Sequence, residues 1–312
     1  MKKLNFIIKY GLALLLLSFY SCESWLNVTP SDRLSEEMLF NDREGFVKAL
    51  NGVYIELNTN ELYGRNLTAG ALDVMGQYYS VASSSHAFYN YGGLVYTGND
   101  EKALFDNMWQ KCYAVIACCN TIIEKCDENK AGLSPVWKGS IKGEALALRA
   151  MLHFDMLRLF GPLTSELDKE SIPYQTNSDQ TVTPLLSGSE VIGLILDDLK
   201  NAVGLLKDTD PYFVEEEFSD TDLNYRRFRM NYFAAKGLMA RVQLWGGDKE
   251  KAAITAKEVI AEGQAEGAEF FPFVTNSEAT SSNPDRVFYS EVLFGTYHSS
   301  REKLHEDLFA PT

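Results

Sequence analysis

The sequence lacks the short motifs that identify the most readily recognised enzyme classes. Its 312 residues contain no HExxH, no GxSxG, no phosphate-binding P-loop and no GxGxxG. Histidine, the commonest general base, is also scarce. These enzyme classes are therefore unsupported and we expect no cofactor, although the paired carboxylates of a glycoside hydrolase leave no motif in a sequence. The four histidines are His86, His153, His298 and His305.

Basic residues are also fewer than acidic residues. The chain carries 29 Lys and Arg against 43 Asp and Glu, which gives a formal net charge of −14. A surface of this sign repels phosphate backbones, so binding to nucleic acid is disfavoured. The same charge makes the protein a poor match for anionic polysaccharides.

The chain contains only five cysteines and no CxxC pair. Cys112, Cys119 and Cys126 are spaced seven residues apart in a predicted helix, so neighbours are about 10 Å apart along its axis. That separation is beyond the reach of a disulfide. Because no histidine lies nearby at metal-ligand spacing, we expect buried apolar thiols and no metal site.

A long uninterrupted hydrophobic run is absent as well. The apolar stretch from Leu4 to Phe19 contains Asn5 and Lys9, and it is too short for a comfortable membrane span. It follows a lysine-rich start and ends just before Cys22, which is typical of a lipoprotein signal peptide. We predict a signal peptide at 1–21, lipidation of Cys22 and a lipidated tether at 22–34. The alternative is an uncleaved membrane anchor.

The remainder, residues 35–312, shows mainly helical periodicity and little sign of β structure. The last two predicted helices span 33 residues, close to the 34-residue tetratricopeptide unit. One such unit cannot bury its apolar face alone, so the earlier helix pair should stack in the same layer. We predict one mainly α domain of tetratricopeptide-like hairpins with long aromatic-rich loops. The predicted helices are Ser35–Leu57, Glu101–Asp127, Pro135–Phe160, one starting at Ser187, Asn231–Trp245 and Asp248–Gly263.

The segment 58–100 has a different composition from the helices. It is rich in Gly, Ser, Asn and Tyr and shows little periodicity, and loops of this length in compact domains are usually functional. Aromatic rings pack against the C–H faces of sugars, while amides and imidazoles pair with the hydroxyls. A single ring can equally anchor the loop to its scaffold. We predict a sugar-binding surface formed by Tyr78, Tyr79, His86, Tyr89, Asn90 and Tyr91.

Two other polar features favour structural roles. Arg149 and His153 are four residues apart in an apolar helix, and we expect them to form an internal network that joins helices. The acidic segment 208–222 lacks the spacing of an EF-hand, so we expect a solvated surface loop in preference to a calcium site.

Four segments, in this order, resemble the SusD/RagB family of outer-membrane nutrient-binding lipoproteins. The first is CESWLNVTPSDRLSEEMLFNDREGFVKALNGVYIEL, at Cys22–Leu57. The second is MWQKCYAVIACCNTII, at Met108–Ile123. The third is GEALALRAMLHFDMLRLFGPL, at Gly143–Leu163, with its Leu-Arg-Ala and its terminal Phe-Gly. The fourth, MNYFAAKGLMARVQLWGGDKEKAAITAKEVI at Met230–Ile260, is similar to the family's later tetratricopeptide hairpin.

The resemblance implies a SusD-like α/α superhelix on the outer face of the outer membrane of a Gram-negative bacterium. It implies a non-catalytic protein that binds oligosaccharides and acts as a lid on a SusC-like TonB-dependent transporter. Family members continue beyond Thr312, so we expect the C-terminal part of the family fold to be missing. Two alternatives stay open: a lipoprotein glycoside hydrolase, and a tetratricopeptide scaffold without a small ligand.

Overall fold

A computed structural model describes residues 36–179, 181–219, 225–265 and 270–309. The predicted signal peptide, Cys22 and the tether at 22–34 lie outside the described residues. Within those ranges the chain forms eleven α-helices and a two-stranded antiparallel sheet. The elements are α1 (Glu36–Leu39), α2 (Arg43–Leu57), α3 (Ala71–Met75), α4 (Tyr89–Gly92), α5 (Asn99–Glu128), α6 (Pro135–Phe160), β1 (Glu170–Pro173), β2 (Leu185–Ser187), α7 (Gly188–Thr209), α8 (Tyr232–Trp245), α9 (Lys249–Gly263), α10 (Asn276–Ala279) and α11 (Arg301–Leu308).

The long helices pack in chain order, as the sequence predicts. α5 pairs with α6 and α8 pairs with α9, while α7 packs against both α6 and α8 and joins the two hairpins. The sheet lies against α6 and α7, with Glu170 opposite Ser187. The mainly α fold with little β structure is therefore confirmed.

Local sequence signals define the ends of these helices. The Ser134 hydroxyl accepts a hydrogen bond from the Trp137 backbone at the start of α6, and Pro135 occupies the first helical position. Ser187 and Glu190 form a reciprocal capping box at the start of α7. These caps satisfy backbone N–H groups that have no partner inside the helix.

Two glycines on α6 allow α7 to approach closely. A Cβ atom at Gly139 would lie 2.5 Å from Cγ2 of Thr209, and one at Gly143 would lie 2.7 Å from Cγ of Leu206. Both separations are shorter than a normal van der Waals contact. The absence of side chains at 139 and 143 therefore sets the distance between the two most extensively packed helices.

Three of the cysteines belong to the core. Cys112, Cys119 and Cys126 are buried and unpaired, as predicted, whereas Cys118 is exposed on α5. Burial raises the pKa of Cys126 to about 12. Thiols in this environment stay protonated at neutral pH and are poor nucleophiles and metal ligands.

Arg149 and His153 form the predicted internal network. Arg149 donates from Nε and Nη2 to the Asp198 carboxylate, each at 2.7 Å, and from Nη1 to Oδ1 of Asn120 at 2.9 Å. Nδ1 of His153 donates to the Arg149 carbonyl at 3.0 Å, and its Nε2 accepts from the Gln175 backbone N–H at 3.0 Å. These bonds connect α5, α6, α7 and the segment that follows β1.

The first predicted helix, Ser35–Leu57, is interrupted in the structure. α1 ends at Leu39 and α2 begins at Arg43, with Asp42 as its N-cap. The Asp42 carboxylate accepts from the Gly45 backbone N–H at 2.9 Å. This cap starts a new helix where the apolar periodicity alone predicted a continuous one.

The acidic segment 208–222 is only partly a solvated loop, which corrects the prediction. Asp210 is fully buried and accepts from Nε and Nη2 of Arg226 at 3.0 and 2.7 Å. It also accepts from the backbone N–H of Tyr232 at 2.8 Å. Asp210 therefore connects the end of α7 to the start of α8.

The segment 58–100 is more ordered than its composition suggests. It contains α3 and α4 and a series of turn hydrogen bonds, such as Tyr63 N–H to the Leu57 carbonyl at 3.0 Å. The Tyr63 hydroxyl donates to Oδ2 of Asp155 on α6 at 2.6 Å. The segment is thus folded onto the helical scaffold.

Candidate functional site

A cavity of about 310 Å³ lies between the segment 65–88 and the end of helix α11. We call it the loop cavity. Its walls combine aromatic, charged and small polar residues from parts of the chain that are more than 200 positions apart. The lining residues are Arg65, Gly70, Asp73, Val74, Tyr79, Ser80, Val81, His86, Ala87, Phe88, Asp307, Leu308 and Phe309.

A small apolar cluster forms the floor of the loop cavity. Ala71, Val74 and Tyr91 are buried in it, and Phe88 and Phe105 pack against them. The Tyr91 ring meets the Phe88 and Phe105 rings edge-on, at centroid distances of 6.0 and 6.2 Å. Burial also raises the pKa of Tyr91, so its hydroxyl stays protonated at neutral pH.

Gly70 provides the turn by which the chain enters α3. Its φ of 72° lies in the left-handed region that favours glycine. A Cβ atom at this position would lie 3.1 Å from the Phe88 ring. The absence of a side chain at Gly70 therefore leaves room for the Phe88 ring in the cavity wall.

The far end of the described chain completes the lining of the loop cavity. His298 is hydrogen-bonded through Nε2 to the Gly64 carbonyl at 2.9 Å, which joins the segment before α11 to the loop. The ring of Phe309, directly after α11, lies 6.0 Å from the ring of Tyr79 at an angle of 53°. The two rings are therefore in tilted contact with each other in the lining of the loop cavity.

Polar groups in the loop cavity are available to a ligand. Nδ1 of His86 accepts from the Phe88 backbone N–H at 3.0 Å, so the neutral ring carries its proton on Nε2. Among the described residues, Arg65 and Asp73 have no ion-pair or side-chain hydrogen-bond partner. Asp307 pairs with Lys303 at 3.1 Å.

This arrangement suits a small polar ligand with apolar faces. Tyr79, Phe88 and Phe309 offer ring surfaces, while Arg65 and Asp73 offer a donor and an acceptor of opposite charge. Binding sites for small molecules commonly combine apolar walls with a few convergent polar groups. A sugar has the matching chemistry because its rings have C–H faces and hydroxyl edges.

The structure brings together two of the six predicted ligand residues, Tyr79 and His86. Tyr79 is 53% exposed, and Tyr78, at 80% exposed, lies outside the cavity lining. Tyr89 is also exposed outside it.

The other two predicted residues have structural positions. Asn90 donates from Nδ2 to Oε1 of Glu101 at 2.8 Å, which joins the loop to α5. Tyr91 is only 3% exposed and belongs to the floor, which corrects the prediction that its ring contacts a ligand. The reason is that Tyr91 packs against Ala71 and Val74 of the short helix α3, an element that the sequence does not predict.

Sequence reasoning did not select Arg65, Asp73, Asp307 or Phe309. Arg65 and Asp73 lie within the segment 58–100, where their charge is a usable signal. Asp307 and Phe309 carry no local signal that relates them to residues near position 70. Only the folded chain brings them to the loop cavity.

The described residues contain neither a metal-binding cluster nor a membrane-spanning helix. In residues 36–309, apart from the undescribed gaps, no group of three or more His, Cys, Asp or Glu side chains is placed to hold a metal ion. None of the described helices has the length and hydropathy needed to cross a bilayer.

Comparison with known families gives one match over most of the chain. Residues 24–244 match a SusD-like family model whose description reads "Starch-binding associating with outer membrane". The matched region includes the first part of the loop cavity, up to Phe88, and ends before α11.

Individual relatives agree with this match. SusD-like protein P2 of Formosa agariphila is 26% identical over 265 residues, which cover 83% of this chain and 46% of that protein. A SusD-like carbohydrate binding protein of Bacteroides vulgatus superposes with a TM-score of 0.59 at 23% identity, over 76% of this chain and 47% of that one. A laminarin binding SusD-like protein superposes with a TM-score of 0.56 at 17% identity, over 77% of this chain and 48% of that one. The chain therefore spans about half the length of these three relatives, and the structural matches establish a shared fold.

Proposed function

Since this chain belongs to the SusD-like family, we propose that it is a non-catalytic lipoprotein of the cell surface that binds oligosaccharides. It would deliver them to a SusC-like TonB-dependent transporter in the outer membrane. Cys22 would carry the lipid, and the segment 22–34 would tether the helical domain, residues 35–312, to the membrane. The family description, with its association with the outer membrane, supports this location.

The loop cavity is the observation that carries the proposal. It brings the contacting rings of Tyr79 and Phe309 together with the polar groups of His86, Arg65 and Asp73. Such a combination holds the C–H face of a sugar ring and pairs with its hydroxyls. The relatives named for carbohydrate and laminarin binding support the same ligand class.

A glycoside hydrolase is the second candidate, because Asp73 and Asp307 line the same cavity. Retaining and inverting hydrolases both use a pair of carboxylates on either side of the scissile bond. If this candidate were correct, the wild-type chain would release reducing ends from a bound oligosaccharide, and Asp73→Asn would abolish the release. Our proposal predicts binding without any release.

Isothermal titration of residues 23–312 with neutral oligosaccharides tests the proposal. The panel contains laminari-, malto-, cello- and manno-hexaose. We expect at least one of them to bind, and we expect Tyr79→Ala to weaken that binding about tenfold, which corresponds to a loss of about 1.4 kcal/mol. His86→Ala should also weaken it because the Nε2 donor is lost.

Tyr78→Ala is the matched control. Tyr78 is adjacent in sequence and more exposed than Tyr79, yet it does not line the loop cavity. We expect Tyr78→Ala to bind like the wild type. A panel without any binding partner would refute the proposed function, whereas equal losses in the two tyrosine variants would refute the loop cavity as the site.

A further inference from the structure

A second cleft lies on a different part of the molecule, beside the 3₁₀ helix Tyr289–Glu291. Its volume is about 560 Å³, and it shares no lining residue with the loop cavity. The cleft lies outside the region 24–244 that matches the family model, apart from Arg227. Its lining consists of Arg227, Val274, Ser277, Glu278, Ser281, Asn283, Asp285, Tyr289 and Ser290.

Contacts with Arg227 fix the position of the Tyr289 ring. The Arg227 guanidinium lies over its ring, with Cζ 5.0 Å from the centroid, and over the buried Phe271 ring at 5.1 Å. The same guanidinium donates to the Tyr289 carbonyl at 3.1 Å and to the Phe270 carbonyl at 2.7 Å. Tyr289 remains 40% exposed. Arg227 thus fixes the ring to the core and leaves part of it open to the cleft.

Hydrogen-bonding groups surround this ring. Within the described residues, the Asn283 amide and the Ser281 hydroxyl have no protein partner. The Asp285 carboxylate is held in place because it accepts from the backbone N–H groups of Val287 and Tyr289, at 3.0 and 2.7 Å. These bonds also lower the pKa of Asp285. The cleft therefore combines an ordered acceptor with a free amide and a free hydroxyl.

The charged residues that line the cleft favour neutral ligands over acidic ones. Arg227, the single cation among the lining residues, is engaged by two carbonyls and two rings. Glu278 and Asp285 are acidic and contribute an unfavourable field for a carboxylate or sulfate. A neutral polyhydroxylated ligand meets no such repulsion.

We propose that this cleft, built around Tyr289 and Asn283, is a second oligosaccharide-binding site that accepts neutral sugars and rejects acidic ones. The Tyr289 ring packs against a sugar C–H face, and the Asn283 amide and the Asp285 carboxylate pair with hydroxyls. The proposal rests on the proposed function, because it adds a second contact for the same class of ligand.

Hydroxyl-radical footprinting with mass spectrometry locates the contact directly. Residues 23–312 are oxidised with and without a saturating neutral hexaose from the panel above. We expect the oxidation of Tyr289 to fall severalfold in the presence of the sugar. Hexagalacturonate, of the same length but with one carboxylate per ring, should leave the oxidation of Tyr289 unchanged.

Tyr297 provides the matched control. It is 68% exposed and, like Tyr289, contacts the ring of Phe228, but it does not line the cleft. Its oxidation should not change with sugar. Tyr289→Ala and Asn283→Ala should each weaken binding of the hexaose at this site, by about tenfold for the tyrosine, or about 1.4 kcal/mol. Tyr297→Ala should bind like the wild type.

The possible outcomes separate this proposal from the proposed function. Protection of Tyr79 without protection of Tyr289 would overturn the second site and leave the proposed function intact. Protection of Tyr289 by hexagalacturonate would overturn the preference for neutral sugars. Protection of neither tyrosine by any hexaose would overturn both proposals.

Discussion

At the scale of single residues, the buried charges of this protein are held by partners. Glu144 accepts from the Tyr54 hydroxyl at 2.7 Å and from Nε of Arg229 at 3.0 Å, and it also pairs with Arg226. Burial opposes ionisation of Glu144, but the two guanidinium groups hold its pKa below the usual value. Removing one member of such a group leaves an uncompensated charge. We therefore assign these residues to the stability of the fold and place ligand binding at exposed groups.

His153 makes the stability of the protein depend on pH. Burial lowers its pKa to about 3, against an ordinary value of 6.5. As the pH falls below 6.5, the unfolded chain binds a proton that folded His153 does not accept until about pH 3. The stabilisation present above pH 6.5 is therefore lost on acidification. We expect this one residue to remove about 2 kcal/mol of unfolding free energy between pH 7 and pH 5.

Urea unfolding at pH 7, 6 and 5 measures this contribution. His153→Gln should be less stable than the wild type at pH 7, because it loses the stacked contact with Tyr174, whose ring is 4.0 Å away. The unfolding free energy of this variant should also change less with pH. The wild type, measured in parallel, gives the reference pH dependence. A His153→Gln variant with that same dependence would contradict the assignment.

At the scale of secondary-structure elements, the α6–α7 interface is limited by its glycines. Gly143→Ala would gain helix propensity but would place Cβ 2.7 Å from Leu206. We expect the overpacking to prevail and to lower the unfolding free energy by about 1–2 kcal/mol. Thermal or urea unfolding of the purified chain measures the change.

Gly204→Ala on α7 is the control for this prediction. A Cβ atom at Gly204 meets nothing within 4 Å, and the residue is exposed. The same substitution there should raise the unfolding free energy by up to about 1 kcal/mol through helix propensity alone. If both substitutions raised the unfolding free energy, α6 and α7 would be able to move apart at Gly143. Their close approach would then not limit packing.

The elements differ in how well the sequence predicts them. α6 was predicted with both ends, because Ser134, Pro135 and Gly161 are strong local signals and the helix is long. The gap between α1 and α2 was missed because the Asp42 cap competes with an unbroken apolar pattern. The short helices α3 and α4 were also missed. Val74 and Tyr91 belong to a buried cluster against which Phe105 of α5 packs, and this contact lies outside either short helix.

At the scale of the whole molecule, the two proposed binding sites lie on segments that pack against the helical scaffold, and under the proposed function Cys22 would attach this domain to the membrane. The lipid would keep the domain beside its transporter at a high effective concentration, so binding between the two proteins would not need to be tight. A tether such as the segment 22–34 would let the domain move while it stays attached.

Cys22→Ala tests the anchor in a Gram-negative host that expresses the transporter. We expect the variant to leave the membrane fraction and to lose oligosaccharide uptake, because the signal for lipidation is gone. Its affinity for the oligosaccharide should stay unchanged. Cys118→Ala, which removes the exposed thiol of α5, should behave like the wild type in all three measurements. Uptake that survives Cys22→Ala would contradict the predicted role of the anchor.

The sequence by itself determined the long helices, several of their caps, the hairpin pairing and the family. These features depend on residues that are close together in the chain, so short-range patterns report them. It also predicted a sugar-binding surface in the segment 58–100, and that prediction includes Tyr79 and His86 of the loop cavity.

Only the tertiary structure decided which side chains can meet a ligand together. Tyr91 has the same composition signal as Tyr79, yet one is buried in the floor and the other lines the loop cavity. Phe309 joins Tyr79 from a position 230 residues away. A binding surface depends on long-range packing and burial, which no local pattern encodes.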